Sequence, residues 1–541
     1  MTLSERFGGH TVASALATRA TTDPNAVYLR FGDQLLSYGQ VESDAEALAA
    51  ALASLGLEAG DRLALVLTPR PEFVISMFAA AKLGVTIVPL SPRLTGAELQ
   101  YALRHSGAAC AVTIERAHGT DYLALFEELM PQLPDLRHLV TVGEDDLWHD
   151  DRIFQFEDLL SSGAGRDYPA AMVGAPTDRF ALVYTSGTMG KPKGVELSHT
   201  NLLAAAAGTA DAIGLTSRDR VVGVSALFHV FGLGPGLLGT LLAGASLVLH
   251  EQADAEATLD DVARHGATVH YGIPTLFVSE LARLEAHPRD LSTLRVAVVA
   301  GAPVWDELIR RLEARLGVTV TTAYSLTETA STVCASRAAD PSEKRRSTVG
   351  RPVAGTTVRV LESDGSVLPV ESVGEIAVRG PGVMLGYYRQ PKETSAAFDG
   401  EGFFVTGDLG LLDEDGYLHL VGRSKDVIIR SGFNVYPREV EARIEAHPAV
   451  QEVAVVGVPD PLLGEAVCAC VVPIEGAIVT GREIVDWCRE TLAGDKVPDL
   501  VRFVDEFPRT DTGQVRRVDL SRVAREQDGP EEAATLIVST S

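Results

Sequence analysis

Apolar strand runs that alternate with helical runs constrain this chain more than any other feature. DRLALVLTP reads as a buried strand, PEFVISMFAAAKLG as a helix and VTIVPL as a second strand. Just upstream, YGQVESDAEALAAALASLG carries apolar residues at helical spacing and stops at Gly56, a residue that readily leaves the helix. Parallel strands need a crossover, usually helical, so this rhythm predicts a largely parallel sheet covered by helices, an α/β fold. The rhythm returns in ATVHYGIP, TLRVAVVAGAP and VTVTTAYSLTE, each an apolar strand running into a polar turn. Ligands of such folds collect at the C-terminal ends of the strands.

From Thr348 the pattern changes to short strands and turns: TTVRVLESDG, GEIAVRGPG, GFFVTGDLG and DEDGYLHLVG. After GRSKDVIIRSG, the helix PREVEARIEAHP and the strands VQEVAVVGVP and CACVVP suggest a small α+β unit. At 541 residues the chain exceeds what one core usually supports. The expected division is a large N-terminal domain over 1–424, with a β-rich subdomain at about 348–424, then a small domain over 425–525 and a disordered tail over 526–541.

A net charge of −26 argues against a nucleic-acid or anionic-membrane surface, and any nucleotide site must carry its own cations and backbone donors. The five cysteines make no disulfide framework; Cys468 and Cys470 alternate onto one face of a strand and read as core. The N-terminus is too charged for a signal peptide. The long uncharged stretch Val221 to Leu249 contains His229 and Pro235 and reads as strand, loop and buried helix rather than a membrane span. A cytoplasmic location is expected.

The chemistry concentrates in four segments. YTSGTMGKPKGVELSH, Tyr184 to His199, opens from a strand into a loop holding Thr185, Ser186, Gly187, Thr188, Gly190, Lys191 and Lys193. Glycines let the backbone approach an anion, hydroxyls donate to its oxygens and lysines add charge, which suits a polyphosphate. It is not a Walker loop, because Pro192 follows Gly190-Lys191; composition alone would also allow a surface turn. In TAYSLTET, Tyr324 can stack on a base, Thr327 can donate to a phosphate and Glu328 can hold Mg²⁺, which commonly takes only one or two carboxylates. Asp408 in GFFVTGDLG is an acceptor for ribose hydroxyls. Lys425-Asp426 sits between two differently patterned regions, where hinges fall.

Taken in order, these motifs resemble the superfamily of acyl- and aryl-CoA synthetases, peptide-synthetase adenylation domains and firefly luciferase, closest to the acyl- and aryl-CoA ligases, over about residues 10–525. The resemblance implies a large N-terminal and a small mobile C-terminal domain, with ATP, Mg²⁺ and CoA as cofactors and a small acid as substrate. It implies ATP contacts from the Thr185–Lys193 loop, from Gly301, Ala302 and Pro303, from Ala323, Tyr324, Ser325 and Thr327, and from Asp408 and Arg423. Glu328 would bind the metal and Lys425 would act as the hinge. Thr188, His229, Thr327, Glu328, Arg423, Lys425 and the residue at 514 would form the catalytic set. His229, Phe231, Leu233, Tyr271, Gly272 and Gly301 would shape the acid pocket. Arg430, Gly432, Phe433 and Asn434 would line the path of the CoA thiol. A homodimer is compatible with the resemblance.

Near the end the chain departs from that pattern. The family's Gly-Lys pair reads Gly513-Gln514 in PRTDTGQVRR, so a neutral amide replaces the lysine that stabilises charge during adenylation. Arg516 or Lys496 could stand in. Asp495 in LAGDKVP takes a position often aromatic in CoA ligases. Three readings follow: a CoA ligase for an acid; an adenylating enzyme with another acceptor, such as a carrier protein or an amine, or with an unusual acid such as nitrite; and a weakly catalytic nucleotide-binding protein. The acid pocket shows no obvious cation for a second carboxylate, so a monoacid is expected.

Overall fold

The computed structural model describes residues 2–143, 150–169, 174–185, 192–224, 226–251, 254–302, 304–431, 433–474, 476–510 and 514–526. Two large sheets are built as the strand–helix rhythm requires. The first has nine strands. Its parallel centre runs Thr319–Leu326, Val296–Ala300, Val269–Gly272, Arg220–Val224, Ser246–Leu249, Val27–Phe31, and antiparallel strands close both edges. The second has eight strands. Its parallel run is Arg179–Tyr184, Thr86–Pro89, Arg62–Val66, Cys110–Ile114, His138–Val142 and Ile153–Gln155. On its other side the antiparallel strands Gly194–Ser198 and Gly386–Tyr387 are added.

One apolar cluster joins the two sheets through helices buried almost all round. Helix Pro71–Leu83 begins on a proline, whose fixed φ suits a first helical turn, and ends at Gly84 with φ 68°. Helix His199–Ile213 starts directly from the strand that follows the Gly-rich loop. Ser198 Oγ accepts from Asn201 N (3.1 Å) and Asn201 Oδ1 accepts from Ser198 N (2.8 Å). The Asn201 amide also donates to Pro381 O (2.7 Å) and Val383 O (2.8 Å), which ties this helix to the segment leading into Gly386–Tyr387.

Between residues 357 and 423 the strands are antiparallel, as their turn-rich sequence requires. A four-stranded sheet holds Thr357–Leu361, Gly374–Arg379, Phe404–Leu412 and Leu418–Arg423. A five-stranded sheet follows, with Val450–Asp460 and Gly464–Pro473 as its long hairpin and helices Pro437–Glu445 and Gly481–Arg489 beside it. Cys468 and Cys470 are fully buried on one face of that hairpin. The stretch Val221 to Leu249 is strand, helical turns and strand, with Pro235 inside the turn Gly232–Leu238; among the described residues no helix is long and apolar enough to cross a membrane.

Two histidines, His199 fully buried and His229 half-buried, set an acid limit to this fold. His199 stacks on Phe180 at 4.5 Å and accepts Val12 N–H at Nδ1 (3.2 Å). Burial lowers its pKa to about 4, and does the same for His229. The unfolded chain takes up these protons near pH 6.5 and the folded chain only near 4, so the stability they contribute is present above pH 6.5 and lost between 6.5 and 4. The urea midpoint is therefore expected to fall between pH 7 and 5. His199→Gln, which keeps an acceptor for Val12, should flatten that fall; an equal slope in the variant would exclude His199 as a cause.

Candidate active site

The strand ends of both large sheets meet the four-stranded sheet around one cleft. Strand Arg179–Tyr184 pairs antiparallel with Gly194–Ser198, so the loop between them is held at both ends: Thr185 N donates to Lys193 O (2.9 Å) and Lys193 N to Thr185 Oγ1 (3.4 Å). Ser186, Gly187, Thr188, Gly190 and Lys191, like Pro303 and Gly432, lie outside the described residues. Lys193 Nζ rests over the Tyr387 ring at 4.3 Å, and Tyr387 Oη donates to Glu328 Oε1 at 3.0 Å. Tyr387 is a residue that sequence reasoning missed. The signal was there in the GYY of strand Gly386–Tyr387, but its use depends on pairing with Gly194–Ser198.

Glu328 stands on the tight turn Thr327–Thr329, where the chain folds back into Ser331–Ala335 through Ala330 in the left-handed region (φ 54°). The phenol of Tyr387 holds one of its carboxylate oxygens. Among the described residues no group of three or more His, Cys, Asp and Glu could cage a metal. A single oriented carboxylate fits Mg²⁺, which takes its remaining ligands from phosphate and water.

On the same strand, Ala323 packs against Ala300 and Ala335, and Ser325 sits one residue beyond Tyr324. Tyr324 is buried, and its Oη donates to Asp408 Oδ2 at 2.5 Å. Asp408 Oδ1 meets Arg423 Nε at 3.2 Å across the pairing of strands Phe404–Leu412 and Leu418–Arg423. Burial raises the Asp408 pKa, and Arg423 opposes it. One buried carboxylate thus joins Tyr324 and Arg423, which the sequence places 99 positions apart. Lys425 follows on the turn Ser424–Asp426, its pKa lowered by burial and by Arg423.

Beside these groups lies a cavity of about 370 Å³. His229, Phe231, Tyr271, Gly272 and Gly301 are among the residues that line it. His229 Nδ1 accepts Phe231 N–H (3.3 Å), so the neutral ring keeps Nε2–H as its donor. Phe231 and Tyr271 meet at 5.5 Å. Glycine is required twice. A Cβ at Gly272 would fall 2.7 Å from the Phe277 ring, and Gly301 has φ 86° at the strand end, with Ala302 after it. Leu233 differs from expectation: it is fully buried in the core and absent from the lining, because its N–H bonds to His229 O (2.9 Å) and the turn carries its side chain inward. The opposite wall was not read from the sequence. Thr68, Arg93 and His118 come from the second sheet's loops, and the cavity therefore does meet a cation, Arg93.

The C-terminal segment closes the cleft. Arg509 and Thr510 line the cavity, and Gln514 Nε2 donates to Gly301 O at 3.0 Å. Arg516, considered as a stand-in, is paired with Asp519 (2.9 Å), and Lys496 with Glu439 (2.7 Å). The hairpin Ile428–Arg430 and Phe433–Val435 is placed differently. Arg430 pairs with Asp499 (2.7 Å), Phe433 and Asn434 are exposed, and none of the three lines the cavity.

Parallel sheets whose strand ends gather a phosphate-type loop, a buried carboxylate–arginine pair and an aromatic cavity describe an adenylate-forming enzyme. A family model described as AMP-binding enzyme matches residues 16–388, and one described as AMP-binding enzyme C-terminal domain matches residues 439–514; the chain belongs to this family of AMP-binding enzymes. A feruloyl-CoA synthase from an Amycolatopsis species is 36% identical over 509 residues, covering 93% of this chain and 97% of the relative. The crystal structure of the anthranilate CoA ligase AuaEII in complex with anthranoyl-AMP superposes with a TM-score of 0.88 at 28% identity, covering 97% of this chain and 99% of that one. ATP-bound MatB from Rhodopseudomonas palustris gives 0.85 at 30% identity, covering 95% and 99%. This chain is an acid–thiol ligase that activates a carboxylic acid with ATP and passes the acyl group to CoA.

Proposed function

We propose that the work of the two half-reactions is divided between the residues above as follows. The Thr185–Lys193 loop holds the phosphates of ATP, Asp408 and Arg423 hold the ribose, Tyr324 stacks on adenine, and Gly301, Ala302 and Pro303 flank both base and acyl group. The acid lies in the cavity with its carboxylate toward Gly301, where His229 Nε2–H donates to it. A carboxylate oxygen attacks the α-phosphorus in line, the bond to the bridging oxygen breaks and pyrophosphate leaves, which gives the acyl-adenylate. Mg²⁺, held by Glu328, supplies neutralisation of phosphate charge. Thr327 and Thr188 donate to the α- and γ-phosphate oxygens, and the chain's part is positioning and charge stabilisation.

The observation that carries this reading is the contact of Gln514 with Gly301, which joins the C-terminal segment to the strand ends while Phe433 and Asn434 stay exposed. We assign the division at Lys425, with 1–424 and 425–525 as the two bodies. In the second half-reaction the small domain turns about Lys425 and brings Gly432, Phe433 and Asn434 to the adenylate. There the CoA thiolate attacks the carbonyl and AMP leaves. Buried free cysteines fit a reducing cytoplasm, and we place the enzyme there; a homodimer remains part of the proposal for its assembly.

Pyrophosphate release with a panel of acids tests the first step, and thioester formation tests the second. Lys425→Pro separates them, because proline restricts the torsions that a hinge must change. Adenylation is expected to stay within a few fold while thioester formation falls about 10²-fold or more. Equal loss of both would refute the hinge.

A further inference from the structure

The acid cavity does not end in a dry apolar wall. Its strand-end side is aromatic, with Phe228, Phe231 and Tyr271. Its far side adjoins a second cavity of about 250 Å³, and Thr68, His118 and Glu251 line both. The three shared groups are polar, beside the apolar Pro69, Pro92, Ile114 and Ala117. Thr68 is buried at 4% exposure, and its Oγ1 has no hydrogen-bond partner among the described residues. The Arg93 guanidinium has neither an ion pair nor a hydrogen bond among the described residues, whereas nearby Glu251 is answered by Arg70 at 3.3 Å. His118 sits on the hairpin Arg116–Ala117/Thr120–Asp121 with φ 50°, a conformation that costs a non-glycine residue and that functional sites tolerate. Burial and Arg93 beside it lower the pKa of His118.

An orphaned buried hydroxyl costs roughly 1–3 kcal/mol unless a ligand satisfies it, and a guanidinium can only donate. The buried hydroxyl is satisfied by an oxygen acceptor, and the solvent-exposed Arg93 guanidinium can donate to the same group. Resting on the acid–CoA ligase reading of this cavity, we infer that the substrate acid carries a second oxygen acceptor at its tail, a carbonyl or carboxylate, bound between Thr68 Oγ1, Arg93 and His118. Those three residues are then specificity-determining. The expectation of a plain monoacid is replaced by that of an oxygen-tailed one. Arg70 beside the site answers both Glu72 (2.8 Å) and Glu251 (3.3 Å), so that trio carries one net negative charge, which Arg93 offsets, and the tail is either neutral or anionic.

The test compares acids of equal length that differ only at the tail: hexanoate, 5-oxohexanoate and adipate, and the ten-carbon series decanoate, 9-oxodecanoate and sebacate. The readout is kcat/KM for pyrophosphate release. At the length that reaches Thr68, an oxygen-tailed acid should exceed its methyl-tailed counterpart by about tenfold or more. Thr68→Val, isosteric at the buried position, and Arg93→Met, at an exposed one, should each narrow that ratio severalfold. A ratio near one in both series, or one that survives both substitutions, overturns the inference. Release with no acid at all would instead count against the ligase reading. The same comparison then runs on binding of the matching acyl-sulfamoyl adenosines by calorimetry, where equal affinities for the two tails overturn the inference.

Discussion

Replacing Gln514 by lysine is expected to raise pyrophosphate release by about 10²–10³-fold, the scale on which one preorganised donor aimed at developing charge acts. The side chain is already where it must be. Thr510 N donates to Gln514 O (2.8 Å), Gln514 N donates to Thr510 Oγ1 (3.2 Å), and the amide Nε2 reaches Gly301 O across the cleft. The backbone of this turn therefore delivers position 514 to the cavity without any lysine. What glutamine lacks is charge: it can donate to an oxygen of the α-phosphate or the incoming carboxylate, but it cannot offset their negative charge. Arg516 and Lys496 are engaged by Asp519 and Glu439, so neither stands ready to replace it. The gain should appear in kcat for adenylation and leave thioester formation from preformed adenylate within a few fold, because that step follows the departure of position 514 from the site. An unchanged adenylation rate in the lysine variant would show that charge at 514 is not limiting in this enzyme.

The parts of the molecule that were legible in the sequence are those governed by local pattern. Leu63 to Val66 and Val296 to Ala300 are continuous apolar runs and became central parallel strands. Gly84 and Gly214 ended their helices in the left-handed region. Glu328 and His229 follow the ends of parallel strands, which such a sheet puts on one side, whereas Asp408 sits within an antiparallel strand of the four-stranded sheet and meets Tyr324 only through folding. What escaped is what only chain crossing decides. Tyr387 reaches Glu328 because a two-residue strand pairs with Gly194–Ser198, and nothing near Tyr387 in sequence announces that partner. Thr68, Arg93 and His118 face the acid cavity because a second sheet docks against the first through helices such as Pro71–Leu83. The family resemblance implied Leu233 as a pocket residue, yet it is fully buried in the core, one helical turn after His229.

Asp408→Asn is expected to cost about 10²-fold in adenylation, with the loss mainly in KM for ATP. One dipole and one charge, the Tyr324 hydroxyl and the Arg423 guanidinium, depend on this one carboxylate. It is 7% exposed, takes the Tyr324 hydroxyl at 2.5 Å and faces Arg423 at 3.2 Å. Asparagine keeps the volume and can accept at one atom, but presents an amide N–H₂ to either the phenol or the guanidinium. Arg423 then loses its counter-charge beside the nucleotide and Tyr324 loses a strong acceptor. Breaking a fully buried ion pair costs about 3–5 kcal/mol. The Arg423 side chain is 38% exposed, so solvent recovers part of that. About 2–3 kcal/mol remains, which is near 10²-fold. The sign on pH follows from burial: it raises the Asp408 pKa, so protonation is reached earlier on acidification than for a free carboxylate. Nucleotide affinity in the parent enzyme should weaken as that proton is taken up, and the asparagine variant should lack that dependence. Calorimetric titration of ATP against pH distinguishes the cases; a variant with parental affinity and the same acid limb would show that Asp408 neither holds the nucleotide nor sets its pH response.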